Sequence, residues 1–217
     1  MKISVMGTGN MGKALVKQLS THSTNTIYWG SRRPEEAQQL VQQLNLSNVI
    51  VCTNEEAQQA GLIIPAYHVS VLKEWALAHQ EELKGKIIVD ISNPFNQDFS
   101  GFTTAWGESS AEQLQSLLPE SSVIGAFKNT FFKVVDEPLH QGQVSDVLVT
   151  GDDDAAVHTF IEYVKPLPFR FLHAGKLANN RTIERFTLLE LELAVRYNTY
   201  PYISLQIFGI QEPALVN

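Results

Sequence analysis

The stretch MGTGNMGKAL at residues 6–15 constrains this chain more than any other ten residues. It follows directly on an apolar run at 3–6. It spaces Gly7, Gly9 and Gly12 as G-x-G-x-x-G between a strand and an amphipathic helix. Each glycine has its own task in such a turn: Gly7 permits the tight reversal, Gly9 lets the backbone approach a pyrophosphate, and Gly12 lets the helix pack close to the strand. The start of the helix then offers unpaired N–H groups and the positive end of its dipole to an anion. A turn of this kind belongs to a βαβ unit, so a parallel sheet covered by helices is expected.

The rest of the chain keeps that rhythm. Apolar runs at 3–6, 26–29, 49–52, 62–64, 87–89, 123–127, 147–149 and 169–172 alternate with amphipathic stretches at 11–22, 34–44, 54–59, 69–80, 109–117 and 153–164. The alternation predicts an α/β fold of Rossmann type, doubly wound around a mostly parallel sheet. After residue 174 the pattern changes. Ile183, Phe186, Leu189 and Leu193 recur at helical spacing and predict one long helix over 180–197. The expected organisation is a dinucleotide-binding Rossmann-like domain at 1–174 with a short C-terminal helical region at 175–217 packed on it. The segment 95–108 is a long loop, and loops of that length are often functional; Trp29 and Trp106 are both expected to pack, with a lid as the alternative role of Trp106.

Composition narrows the function. A formal net charge of −7 argues against general nucleic-acid affinity, which needs a basic face. No run approaches the ~20 apolar residues of a membrane span. The six histidines lack metal-ligand spacing, so no metal is expected. The single cysteine, Cys52, fits a reducing compartment. The N-terminus enters a strand without the basic region and apolar core of a secretory signal, so a cytoplasmic location is expected.

The second strand ends in YWGSRRPEE. An NAD-preferring site would carry an acidic residue here for the ribose 2′-hydroxyl. Ser31, Arg32 and Arg33 instead offer a hydroxyl and two guanidinium groups, which suit a 2′-phosphate. Two cations are otherwise poorly placed at a helix N-terminus. The expected cofactor is NADP(H).

Six blocks in order, ISVMGTGNMGKAL, GSRRPEE, IIVDISNPFN, SSAEQLQSLLP, VIGAFKNTF and AGKLANNRTIERFTLLELELA, resemble the coenzyme F420-dependent NADP oxidoreductase family. They also resemble the soluble reductase domain of the six-transmembrane ferric and cupric metalloreductases. The resemblance runs from Lys2 to about Phe208. It implies a Rossmann fold and hydride transfer between NADP(H) and a flavin-like or deazaflavin small-molecule acceptor. By position it implies Thr8, Asn10 and Met11 beside the pyrophosphate and Ser31, Arg32 and Arg33 on the 2′-phosphate. Ser92, Asn93 and Pro94 would lie near the nicotinamide ribose, and Ala126 and Phe127 would approach the nicotinamide ring.

Two departures bear on the acceptor. Many members read Ala-Phe-Asn where this chain has Ala126-Phe127-Lys128 followed by Asn129. The Lys128 ammonium would meet an anionic substrate group or the carboxamide, or Asn129 would take the missing role. The segment IIPAYHVS replaces a commoner apolar strand ending. Pro65 removes a ladder donor, so that strand ends early or lies at an edge. Ala66 and Tyr67 then fall in the cofactor cleft, and His68 is the candidate proton donor, with helix capping as its structural role. Asp90 is expected to organise the Ser92-Asn93 turn; Asn180 is expected to cap the closing helix with Glu184 paired to Arg181, or, as the resemblance equally implies, this cluster with Asn179 lines the substrate side of the cleft. The leading function is an NADPH-dependent oxidoreductase. The alternative is a non-catalytic NADPH-binding sensor or partner-binding module. The outer face of the closing helix offers a surface for a homodimer.

Overall fold

The structure is a computed structural model describing residues 1–210; the end of the region expected at 175–217, residues 211–217, lies outside the described residues. The strands are β1 Ile3–Met6, β2 Ile27–Gly30, β3 Val49–Cys52, β4 Leu62–Pro65, β5 Ile87–Asp90, β6 Ser122–Gly125, β7 Leu139–His140, β8 Gln143–Gly151 and β9 Phe169–His173. Helices α1 Asn10–His22, α2 Pro34–Gln43, α3 Asn54–Ala57, α4 Val69–Ala78, α5 Ser110–Leu117, α6 Phe132–Asp136, α7 Asp154–Val164 and α8 Asn180–Arg196 connect and cover them.

The sheet runs in the order β3-β2-β1-β4-β5-β6-β8-β7, with β9 beside β8. From β3 to β6 every pair is parallel, and β8 joins β6 antiparallel. The order reverses between β1 and β4, which opens a crevice at the carboxyl ends of the strands. Neighbouring residues in the central strands point to opposite faces. Ile64, Val89 and Ile124 join the α1 and α7 side with Leu15, Leu19 and Phe160, whereas Ile63, Ile88 and Val123 pack with Leu72, Trp75 and Leu114 of α4 and α5. Both faces are therefore apolar, as a buried parallel sheet requires.

Local chemistry sets the helix starts. Pro34 opens α2, where its missing N–H has no partner to lose. Thr53 and Glu56 form a reciprocal capping box on α3, and Ser109 caps α5 by accepting from the Glu112 N–H. Pro65 is the last residue of β4, and the β4–β5 pairing is registered only through Leu62 and Ile63. The strand stays central because the proline falls at its end.

Several elements differ from the sequence reading. The run at 147–149 is the middle of nine-residue β8, which turns back on β7 through Gln141 and Gly142, at φ 51° and 84°. Two successive left-handed residues make the tight turn that matches strand twist. The strand expected to 127 stops at Gly125, and Phe127 has φ 54°. Asn180 does not cap α8. A 3-10 turn, Leu177–Asn179, leads into that helix, and the Asn180 side chain donates to Thr150 Oγ1 at 2.6 Å beneath Gly125. A β-carbon on Gly125 would stand 2.5 Å from that amide. Among the described residues no helix is long and apolar enough to cross a membrane.

Candidate functional site

A cleft of about 600 Å³ opens at the switch point between β1 and β4. Gly7, Thr8 and Gly9 form its floor, Ser31, Arg32 and Arg33 one end, and Ala66, Tyr67 and His68 the opposite wall. Three sequence segments some thirty residues apart thus meet because β2, β1 and β4 are neighbours.

The glycine turn is held tightly. Gly7 has φ 107°, in the left-handed region that glycine tolerates. Its N–H donates to the Gly30 carbonyl at 2.9 Å, and Trp29 Nε1 donates to its carbonyl oxygen at 3.0 Å. A β-carbon on Gly12 would come 2.2 Å from that same oxygen. Gly9 differs from both. It precedes α1, no side chain caps the helix there, and a β-carbon on it would meet nothing within 4 Å. The start of α1 is thus uncapped beside the open space at Gly9, the arrangement that receives a phosphate.

At the end of β2, Ser31 is buried, with its N–H on the Cys52 carbonyl at 3.0 Å and its hydroxyl accepting from the Arg33 N–H at 3.0 Å. Arg33 pairs with Glu36 at 2.7 Å on the surface of α2. Arg32 is exposed and, among the described residues, no hydrogen bond or ion pair holds its guanidinium. Its charge acts on the Tyr67 hydroxyl, which burial nonetheless pushes up to about 12. Tyr67 meets Trp75 edge-on, with ring centroids 6.1 Å apart. His68 is exposed at the N-terminus of α4, and its Nδ1 lies 3.0 Å from Ser70 Oγ. It caps the helix and faces the cleft.

Beyond β4 the carboxyl ends of β5 and β6 carry Ser92, Asn93, Pro94, Ala126 and Phe127. These residues do not line the cleft just described. The Phe127 ring turns into the core against Phe169 and Phe171, and both Ala126 and Phe127 are buried. Asp90 organises the turn as expected, its Oδ1 accepting from the Ser92 N–H at 2.8 Å and the Ser92 hydroxyl at 2.6 Å.

Lys128 is where the sequence reading needs correction. Its ammonium does not reach the cleft. The residue is 1% exposed, and Nζ lies 2.7 Å from Asp90, 3.0 Å from Glu184 and 2.9 Å from Ser110 Oγ. Burial pulls its pKa down, but the charges of Asp90 and Glu184 and the bonds to them prevail and raise it. Asn129 does not replace it, because its amide donates to the Asp146 carbonyl and accepts from the Leu148 N–H. Glu184 is likewise not the partner of Arg181, which binds Glu112 instead. Lys128 lies 56 positions from Glu184, so neither pairing shows as a local spacing. Trp106 is 84% exposed with the Arg185 guanidinium 4.7 Å over its ring.

Asn54, Glu36, Val71 and Trp75 also line the cleft and were not foreseen. The Thr53–Glu56 capping box was the available signal for Asn54, since it starts a helix beside the end of β2.

A family model described as NADP oxidoreductase, coenzyme F420-dependent, matches residues 2–94. The F420-dependent NADP reductase of Methanocaldococcus jannaschii is 31% identical over 92% of this chain and 95% of its own length. Metalloreductase STEAP3 of Rattus norvegicus is 29% identical over 93% of this chain, which spans 42% of that longer protein. The crystal structure of a putative F420-dependent NADP reductase from Arthrobacter sp. FB24 superposes with a TM-score of 0.79 at 23% identity, covering 92% of this chain and 96% of that one.

Proposed function

The chain belongs to the coenzyme F420-dependent family of NADP oxidoreductases, and from that premise we propose that it passes a hydride between NADP(H) and a flavin-like or deazaflavin acceptor. The observation that carries the reading is the cleft itself. An uncapped helix start, an open approach at Gly9 and the unengaged Arg32 beside Ser31 together form a receptor for a pyrophosphate and a 2′-phosphate.

Gly7, Thr8, Gly9, Asn10 and Met11 would hold the pyrophosphate, with Gly12 keeping α1 close against the turn, and Ser31, Arg32 and Arg33 would hold the 2′-phosphate. Ala66 and Tyr67 would flank the chain of the cofactor. Ser92, Asn93, Pro94, Ala126 and Phe127 would hold the nicotinamide half, the last through its backbone. The bound cofactor supplies the hydride. The residues of this chain bind it, orient it against the acceptor and exclude water. His68, at the cleft wall, is the group placed to relay a proton to the acceptor.

The test is oxidation of NADPH and of NADH, followed with FMN and with a deazaflavin as acceptors. Turnover with NADPH far above NADH is expected. Tight NADPH binding without turnover on either acceptor would make the protein a non-catalytic NADPH-binding module.

A further inference from the structure

The turn after β6 carries an ion triad to which the proposed reaction gives no task. Lys128, Asp90 and Glu184 come from three elements, and their side chains are fully shielded from solvent. Burying three charges is so unfavourable that apolar replacements are often as stable, so stability alone is a weak reason for them. Here the triad is well satisfied. Lys128 Nζ also donates to the Ser92 carbonyl at 2.5 Å, and Ser110 gives its hydroxyl and N–H to Glu184 at 2.8 and 3.1 Å.

What this arrangement fixes is the backbone around Lys128 and the turn below it. The Lys128 carbonyl accepts from Asn93 Nδ2 at 2.7 Å and from Thr187 Oγ1 at 2.8 Å. Ser92 is gripped on both sides, by Asp90 and by the Lys128 ammonium. The Asn93 amide therefore has one orientation, because reversing it would set its oxygen against the Lys128 carbonyl. In that orientation Asn93 Oδ1 is buried and has no hydrogen-bond partner among the described residues. Buried acceptors are nearly always satisfied. This one sits just past the carboxyl end of β5, along the edge where ligands bind open α/β sheets.

We propose that the Lys128–Asp90–Glu184 triad is a positioning device that presents Asn93 Oδ1 to a hydrogen-bond donor on the nicotinamide riboside half of NADP(H). The donor is the carboxamide N–H or a ribose hydroxyl. The inference rests on the reading that the site takes NADP(H). Lys128 is then a positioning residue, acting through Asn93 without touching cofactor or acceptor.

Calorimetric titration of the full chain with NADPH and with 2′,5′-ADP, which lacks the nicotinamide riboside, tests this without turnover. Asn93→Ala and Lys128→Met should each weaken NADPH about tenfold, the loss of one ligand hydrogen bond, and leave 2′,5′-ADP unchanged. Because both act on one contact, the double variant should be no weaker than either single by more than about twofold. A merely structural role would not move the ratio of the two affinities. An NADPH analogue with acetyl in place of carboxamide separates the donors. If the wild type discriminates against it and Asn93→Ala does not, the donor is the carboxamide; if Asn93→Ala weakens both dinucleotides equally, it is the ribose. Should Lys128→Met fail to fold, Glu184→Gln keeps a Lys128–Asp90 pair and should give a smaller loss of the same kind, again not additive with Asn93→Ala. An unchanged affinity ratio, additive losses, or an equal loss for 2′,5′-ADP would overturn the positioning role. Wild-type protein that binds 2′,5′-ADP but gains nothing from the nicotinamide half would overturn it while sparing the phosphate site. No binding of either ligand would overturn the NADP(H) reading, and the positioning role with it.

Discussion

Gly12 lies directly over the carbonyl of Gly7, so close that a β-carbon at Gly12 would stand 2.2 Å from that oxygen. A β-carbon at Gly9, two residues after Gly7, would meet nothing within 4 Å. One glycine serves packing and the other keeps a space open. Gly12→Ala should therefore destabilise the fold by about 3 kcal/mol or more through overpacking against backbone. Gly9→Ala should unfold within a few degrees of wild type yet bind NADPH poorly. Thermal unfolding beside NADPH titration separates the two, and equal loss of stability in both variants would refute the division of roles.

The two arginines after β2 should not be equivalent. Arg33 is already paired with Glu36, whereas Arg32 has no ion-pair partner among the described residues. Arg32→Ala should weaken NADPH binding roughly 10- to 100-fold and leave NADH unchanged, as expected for one lost charge-assisted contact. Arg33→Ala should have the smaller effect. Competition binding of the two dinucleotides measures both, and a loss of NADH binding equal to that of NADPH would contradict a 2′-phosphate role.

These two sites were legible in the sequence for a physical reason. The glycine turn and Ser31-Arg32-Arg33 are contiguous runs whose backbone geometry and charge follow from their order, and the structure brings them to one cleft. Pro65 was legible in the same way, since a residue without an N–H has to fall at a strand end. Lys128 was not. Its place depends on Phe127 at φ 54° turning the chain inward and on α8 bringing Glu184 alongside, both set by tertiary packing. Asn180 likewise looked like a helix cap, but the close approach of α8 to Gly125 gives its amide another use. The β7–β8 turn was missed because Gln141-Gly142 lacks the Asn-Gly or Asp-Gly pair that usually marks such a hairpin.

Glu190 on α8 predicts a pH dependence of stability. It is 3% exposed, both carboxylate oxygens lack partners among the described residues, and burial pushes its pKa from 4.5 up to about 8. The folded state thus binds this proton more tightly than the unfolded chain. The stability it contributes is full below pH 4.5 and is lost as pH rises toward 8, a change on the order of 5 kcal/mol. Denaturant unfolding of wild type and Glu190→Gln across that range should show the slope only in the wild type. Parallel curves would mean that Glu190 is ionised and satisfied in the folded protein.

Direct hydride transfer from bound NADPH is tested by one label experiment. The protein is mixed anaerobically with NADPH dideuterated at nicotinamide C4 and a deazaflavin, whose reduced C5–H does not exchange with water. One deuterium on C5 of the reduced deazaflavin is expected. Unlabelled reduced deazaflavin, or none formed while NADPH remains bound, would contradict it.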